Sequence, residues 1–345
     1  MPRVSFQGLV RFAQEFFVAK GVPEERARTI AETAVTTEAF GITTHGLSFL
    51  PYAEGAIPEV VDPKAEPAVT GDRGATAVID AGRGFAQLAM KVAADIAIRK
   101  ASTLGIAMVS VRNAGWLAAL GVQLLPIAER GMLAQVWAQT NTCKDAAPVG
   151  GIDARFSTNP LALAIPTGGD PIVADFSTTA ISMGKTSAMA GRGEKAPERI
   201  FMDANGALSN DPKVAKEGGT ILFTGGEHYG HKGYGLSLWC EALTAAGGGE
   251  CNNPQSRTQQ NFTLQAIDPA VLGGRDRYLA EIGRFVRHVR SSRPRPGVTA
   301  VRLPGERGFA ALRRAKADGV DVSEAMLARL DELAAKTGIA SARGR

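Results

Sequence analysis

An α/β fold follows from two features of the chain. Short apolar runs bounded by turn residues alternate with segments whose apolar residues recur at the helical period. Hydrophobic residues make up 45% and charged residues 21% of 345 positions, an ordinary globular composition with enough chain for two lobes. From the N-terminus, Phe6, Leu9, Val10, Phe12, Phe16 and Phe17 repeat near the helical period, and Gly21 stops that helix. Pro23, Glu24 and Glu25 open a second helix, which runs to Phe40 and stops at Gly41. A polar junction, residues 41–46, leads into a third helical stretch ending near Gly55. Strands are expected over 75–80, 106–111, 133–138, 161–165, 172–176 and 263–267, and helices over 85–102 and 117–130. Residues 186–218 are polar and turn-rich and read as a surface excursion or flap. Residues 233–246 read as a buried helix, and helices near 278–291 and 323–336 flank a loop at 303–308.

Composition removes several function classes. The net charge of +5 is a mild excess, placed partly between Arg284 and Arg295 and at Arg343 and Arg345, without the aromatic-interleaved basic stripe of a nucleic-acid binder. It reads as a solvated face with attraction for small anions. Cys143, Cys240 and Cys251 lie far apart and suggest neither a disulfide framework nor a zinc site, so a reducing, cytoplasmic setting is expected. The first residues are amphipathic rather than signal-like, and no apolar run of about twenty residues spans a membrane. The nearest match to a dinucleotide fingerprint, residues 191–196, follows no strand. Gly184-Lys185-Thr186 resembles the end of a phosphate-binding P-loop, but Thr179 stands where its first glycine belongs.

Three stretches carry candidate chemistry. His45, preceded by Thr43 and Thr44, is either a proton donor and acceptor oriented by a hydroxyl or a helix-junction histidine bonded to the backbone. Asp175, Phe176, Ser177, Thr178 and Thr179 follow an apolar strand, where a carboxylate and three hydroxyls suit ribose and phosphate contacts or a helix cap. His231, Lys232 and Gly233 stand in a glycine-rich approach, suited either to a phosphate or to a flexible turn.

Taken in order, Thr44-His45-Gly46 with Pro51 and Tyr52, Thr140-Asn141 with 147–151, 157–160, 175–185, 232–235 and 303–306 resemble the type-2 malate/L-lactate dehydrogenase family. The family includes ureidoglycolate, sulfolactate and diketogulonate dehydrogenases and reductases of cyclic imino acids, and the similarity covers nearly the whole chain. It implies a non-Rossmann nicotinamide-binding domain over 113–284, a mainly helical substrate lobe built from 1–112 plus 285–345, and a homodimer. It implies that His45 is the acid/base, with Thr44 in place of a serine and Asp175 orienting or charge-balancing the ring. Residues 175–179, His231 to Gly233, and Pro304, Gly305 and Glu306 would contact NAD or NADP. Arg192, Arg199 and Arg307 are each candidates to meet a 2′-phosphate, which leaves the two cofactors open. Phe49, Trp116, Thr140 and Asn159 would line the small-molecule substrate. Phe49 replaces a frequent arginine, and Trp116 follows Asn113-Ala114-Gly115 where a second histidine is frequent, so the pocket is more aromatic than the family pattern. The expected reaction is hydride transfer on a 2-oxo or 2-hydroxy acid. The alternatives are reduction of a cyclic imino acid and a catalytically silent nucleotide-binding homologue.

Overall fold

The computed structural model describes residues 2–256 and 259–345. Seven strands form the main sheet: β1 (Ala68–Arg73), β2 (Thr76–Asp80), β3 (Ile106–Ala114), β4 (Leu133–Thr140), β5 (Leu161–Ile165), β6 (Ile172–Phe176) and β7 (Gln260–Ile267). Their spatial order is β1-β2-β3-β7-β4-β5-β6. β2 and β3 run parallel and every other neighbouring pair is antiparallel. The fold is therefore mixed α/β but not doubly wound, because a dinucleotide-binding sheet of that kind is mostly parallel. The late strand β7 inserts at the centre, and it is buried along nearly its whole length.

Helices α1 (Phe6–Ala19), α2 (Glu24–Ala39), α3 (Phe49–Ala56) and α4 (Ala86–Leu104) form the N-terminal helical layer. α5 (Met183–Arg192), α6 (His231–Ala246), α7 (Arg275–Arg290), α8 (Glu306–Asp318) and α9 (Glu324–Thr337) follow. α1 and α2 pack on each other and receive α8 and α9, so both chain ends build one helical layer around Phe12, Phe16, Phe17, Ile30 and Leu330. A two-stranded ladder between Arg3–Val4 and Val320–Asp321 ties those ends together. The border expected at residues 112–113 falls inside β3, and strands on both sides of it share one sheet.

Several local expectations are corrected. Residues 117–130 do not form one helix: Ala118 adopts φ 62°, and only a short 3-10 turn (Gly121–Leu124) and Leu125–Glu129, opened by Pro126, are helical. The segment 186–218 carries α5 and part of a small three-stranded sheet over its own core of Ala196, Phe201 and Ile221. α6 is not buried; Leu236, Leu238 and Trp239 face outward. The loop expected at 303–308 runs into α8 from Glu306 onward. β1, mostly exposed and without alternation, gave no strand pattern to read.

Candidate active site

The turn between α2 and α3 presents His45. It is fastened from below: the Leu47 N–H donates to Glu38 Oε2 at 2.8 Å. A Cβ on Gly46 would lie 2.4 Å from that oxygen, so only glycine lets the turn sit this close to α2. Thr44 Oγ1 lies 2.8 Å from His45 Nδ1, which orients the ring and leaves Nε2 for another partner. The Trp116 ring packs at 5.4 Å between centroids on one side. The start of α5 closes another side, where a Cβ on Gly184 would lie 3.5 Å from His45 Cε1. Burial, and secondarily the Lys185 ammonium, push His45 down to about 4. The imidazole is therefore neutral near pH 7.

Asp175, expected to orient or charge-balance the ring, makes no hydrogen bond to His45 among the described residues. Its Oδ2 accepts the N–H groups of Leu120 and Gly121 at 2.9 and 2.8 Å, and Thr44 does the orienting. The residue is open on its cleft side while its carboxyl end is ringed by protein. That burial raises the pKa of the carboxyl above the ordinary carboxylate value, against the two N–H groups and Lys185, which favour the ionised form. Lys185 is thus the cation that both His45 and Asp175 sense.

Phe49 is 2% exposed and stands behind the pocket, with Tyr52 and Trp116 each 5.8 Å from it between ring centroids. Tyr52 and Trp116 pack edge to face at 4.9 Å and form the half-open aromatic wall. Gln260 joins that wall to Thr140: its Oε1 accepts the Leu117 N–H at 2.6 Å and its Nε2 donates to Thr140 Oγ1 at 2.9 Å. Asn159 is fully buried at φ 37°, and its Nδ2 donates to Ser237 Oγ and Glu241 Oε1, both at 2.9 Å. Its Oδ1 accepts from Ser157 Oγ at 2.5 Å. With its amide committed in this way, Asn159 ties α6 to the sheet end.

A cleft of about 1050 Å³ lies beside this turn. Phe40, Gly41 and Ile42, just ahead of His45, form one wall, and Asp175, Pro304 and Gly305 come together in it, with Arg302 and Arg307 at its rim. The Pro304 carbonyl accepts the Val173 N–H at 3.1 Å, so this loop also caps the edge strand β6. Gly305 has φ 93°, and a Cβ there would lie 3.1 Å from Val173 N. Glu306 is paired with Arg290. Thr178 and Thr179 are buried and donate their hydroxyls to the carbonyls of Thr158 and Ile181, while the exposed Phe176 and half-buried Ser177 precede them. Gly233 is pressed on this stretch, since its Cβ would lie 2.4 Å from the Thr178 carbonyl oxygen. His231 and Lys232 are exposed at the start of α6, Lys232 over the Tyr229 ring at 5.1 Å. Volume, close backbone approach and the guanidinium groups of Arg302 and Arg307, unpaired among the described residues, all suit a phosphate-bearing dinucleotide.

Sequence reasoning missed Glu38 and Lys185 as individual residues. Glu38 had a signal: it continues the apolar stripe of Ala27, Ile30, Ala31, Ala34 and Val35, so an acid stands where the helical period assigns the core. Lys185 was set aside with the failed P-loop match.

The family profile described as malate/L-lactate dehydrogenase matches residues 4–331. Malate dehydrogenase from Pyrococcus abyssi is 28% identical, with 98% of this chain and 95% of the relative covered. The Delta(1)-pyrroline-2-carboxylate/Delta(1)-piperideine-2-carboxylate reductase of Pseudomonas putida is 33% identical, with 96% of each covered. The solved structure of malate dehydrogenase from Pyrococcus horikoshii OT3 superposes with a TM-score of 0.88 at 28% identity, over 99% of this chain and 97% of that one. With the profile spanning almost its whole length, this chain belongs to the malate/L-lactate dehydrogenase family of dehydrogenases and reductases.

Proposed function

We propose that the chain transfers a hydride between a nicotinamide cofactor, NAD or NADP, and a small 2-oxo or 2-hydroxy acid. The observation that carries this reading is a histidine with Nδ1 held by Thr44 and Nε2 without a partner among the described residues, on the turn that also walls the cleft. Asp175, Pro304, Gly305 and the backbone of Gly121 would hold the cofactor, which supplies the hydride when bound. His45 takes the hydroxyl proton at Nε2 in oxidation, for which its neutral form is ready. In reduction it must first carry a proton. A substrate carboxylate beside Lys185 offsets the charge that suppresses protonation, so binding the anion loads the acid. Lys185 therefore does the work of the arginine that Phe49 replaces. Lys185→Ala is expected to raise KM for an acid substrate about tenfold or more, the scale of one lost charge-assisted contact. An unchanged KM removes Lys185 from substrate binding.

The aromatic wall of Tyr52 and Trp116, backed by Phe49, favours a second reading, reduction of a cyclic imino acid. Turnover of a five- or six-membered cyclic imino acid against an open-chain 2-oxo acid separates the two; exclusive use of the oxo acid ends the imine reading. Loss of activity on both classes, with the cofactor bound, would sink the hydride-transfer proposal.

The outward face of α6 bears on assembly. Trp239 is 56% exposed between Leu236 and Leu238, a helix face too apolar to stand in water alone. It is read as the contact with a second copy of the chain, and a sedimentation mass of one protomer at micromolar concentration would refute that. Cys143, Cys240 and Cys251 are free thiols, which fits a reducing cytoplasmic setting. No helix among the described residues is long and apolar enough to cross a membrane.

A further inference from the structure

We propose that Arg302, Arg307 and Arg314 form a phosphomonoester site continuous with the cleft, and that its ligand is the 2′-phosphate of NADP. The inference rests on the nicotinamide reading of that cleft and goes beyond it by choosing between the two cofactors.

A second cavity of about 390 Å³ adjoins the first and shares Arg302, Arg307 and Ala311 with it; Glu306, Ala310 and Arg314 complete its lining. One elongated ligand can therefore run from Asp175 past Pro304 into this arginine-lined space. Three guanidinium groups face one carboxylate, and that carboxylate, Glu306, is already paired with Arg290. Arg302 and Arg307 make no hydrogen bond or ion pair among the described residues. Arg314 reaches only to 4.0 Å from Asp321, whose other oxygen is held by Arg3 at 3.0 Å. The other arginines that the sequence offers to a phosphate line neither cavity and are paired elsewhere: Arg192 with Glu194 and Arg199 with Glu227.

The sequence builds this arrangement simply. Arg307 and Arg314 are seven residues apart in α8 and so share a face, with Ala310 and Ala311 leaving space between them. Gly305 in the left-handed conformation starts the helix, adding the positive end of its dipole. Arg302 comes from the preceding loop. Forked guanidinium donors match the oxygens of a dianionic phosphate, whereas a ribose 2′-hydroxyl satisfies none of their charge. Discrimination thus arises from the added attraction for the phosphate.

The test is calorimetric titration of the whole protein with NADPH, NADH, 2′,5′-ADP, 5′-AMP and inorganic phosphate. NADPH is expected to bind about tenfold or more tighter than NADH, and 2′,5′-ADP tighter than 5′-AMP by a similar factor, each tenfold being about 1.4 kcal/mol. Both preferences should shrink with rising salt and largely vanish in Arg302→Ala/Arg307→Ala, with an unchanged melting temperature showing that the variant is folded. Equal binding of NADPH and NADH overturns the 2′-phosphate assignment and leaves the hydride-transfer reading standing. Inorganic phosphate binding as tightly as 2′,5′-ADP, and competing with it, overturns the assignment in favour of a free-phosphate site. Failure of both dinucleotides to bind overturns the assignment together with the cofactor reading.

Discussion

Replacing His45 with Ala is expected to lower turnover by about two to four orders of magnitude, the usual contribution of a positioned acid/base. Cofactor affinity should stay near that of the parent, because His45 does not line the cleft while Gly41 and Ile42 on the same turn do. The pair of outcomes is informative: lost turnover with retained binding isolates proton transfer, and near-parental turnover in a folded variant removes His45 from the chemistry. Thr44→Ala should show a smaller loss, since it takes away only the 2.8 Å contact that orients the ring. Stopped-flow single turnovers measure both variants without interference from product release.

Glu38→Gln is expected to change the pH dependence of stability rather than its neutral-pH value alone. Burial pushes Glu38 from its ordinary 4.5 up to about 7, against the Leu47 N–H that favours the ionised form. Across this window the folded chain keeps a proton that the unfolded chain has lost, so stability falls as pH rises from 4.5 through 7. A shift of this size corresponds to a loss of about 3 kcal/mol at most. His45 acts in the opposite sense. Its neutral form is retained down to about 4 rather than 6.5, so stability falls as pH drops through that range. Gln still accepts the Leu47 N–H but cannot ionise. The variant should therefore lose the alkaline decline, keep the acidic one, and exceed the parent above pH 8 by about 1–3 kcal/mol. Denaturant midpoints at several pH values measure this; parallel curves for parent and variant would show that Glu38 carries no unusual proton.

Much of the architecture was legible because periodicity and punctuation agree with burial. The phenylalanines of α1 repeat at the helical period and all but Phe6 are buried, and the apolar run of β3 sits inside the sheet. Where the reading failed, a tertiary contact outweighed local pattern. Residues 117–130 look helical, yet the N–H groups of Leu120 and Gly121 go to Asp175, a partner 55 and 54 positions away. α6 looks buried because apolar residues recur on every side of it, yet Leu236, Leu238 and Trp239 are exposed. The sequence names His45, Thr44 and Asp175 by residue type, and Pro304–Gly305 by resemblance alone; the structure sets Thr44 against His45 Nδ1 and brings Asp175, Pro304 and Gly305 into one cleft. The site was not legible at Asn159, whose side chain is consumed by Ser157, Ser237 and Glu241 from distant segments. Nor does the sequence single out Arg302 and Arg314, which line one cavity with Arg307 only once the turn into α8 is formed.

The central claim, direct hydride transfer at this cleft, is tested most directly by isotope transfer. A reduced nicotinamide deuterated at its transferable ring position is incubated with the protein and a 2-oxo acid or cyclic imino acid, and the product is analysed by mass spectrometry and NMR. The account predicts one deuterium at the carbon that was unsaturated, retained in ordinary water, and its formation suppressed in His45→Ala. Cofactor bound with no deuterium passed to any substrate of either class would contradict it and mark the chain as a nucleotide-binding homologue without the chemistry.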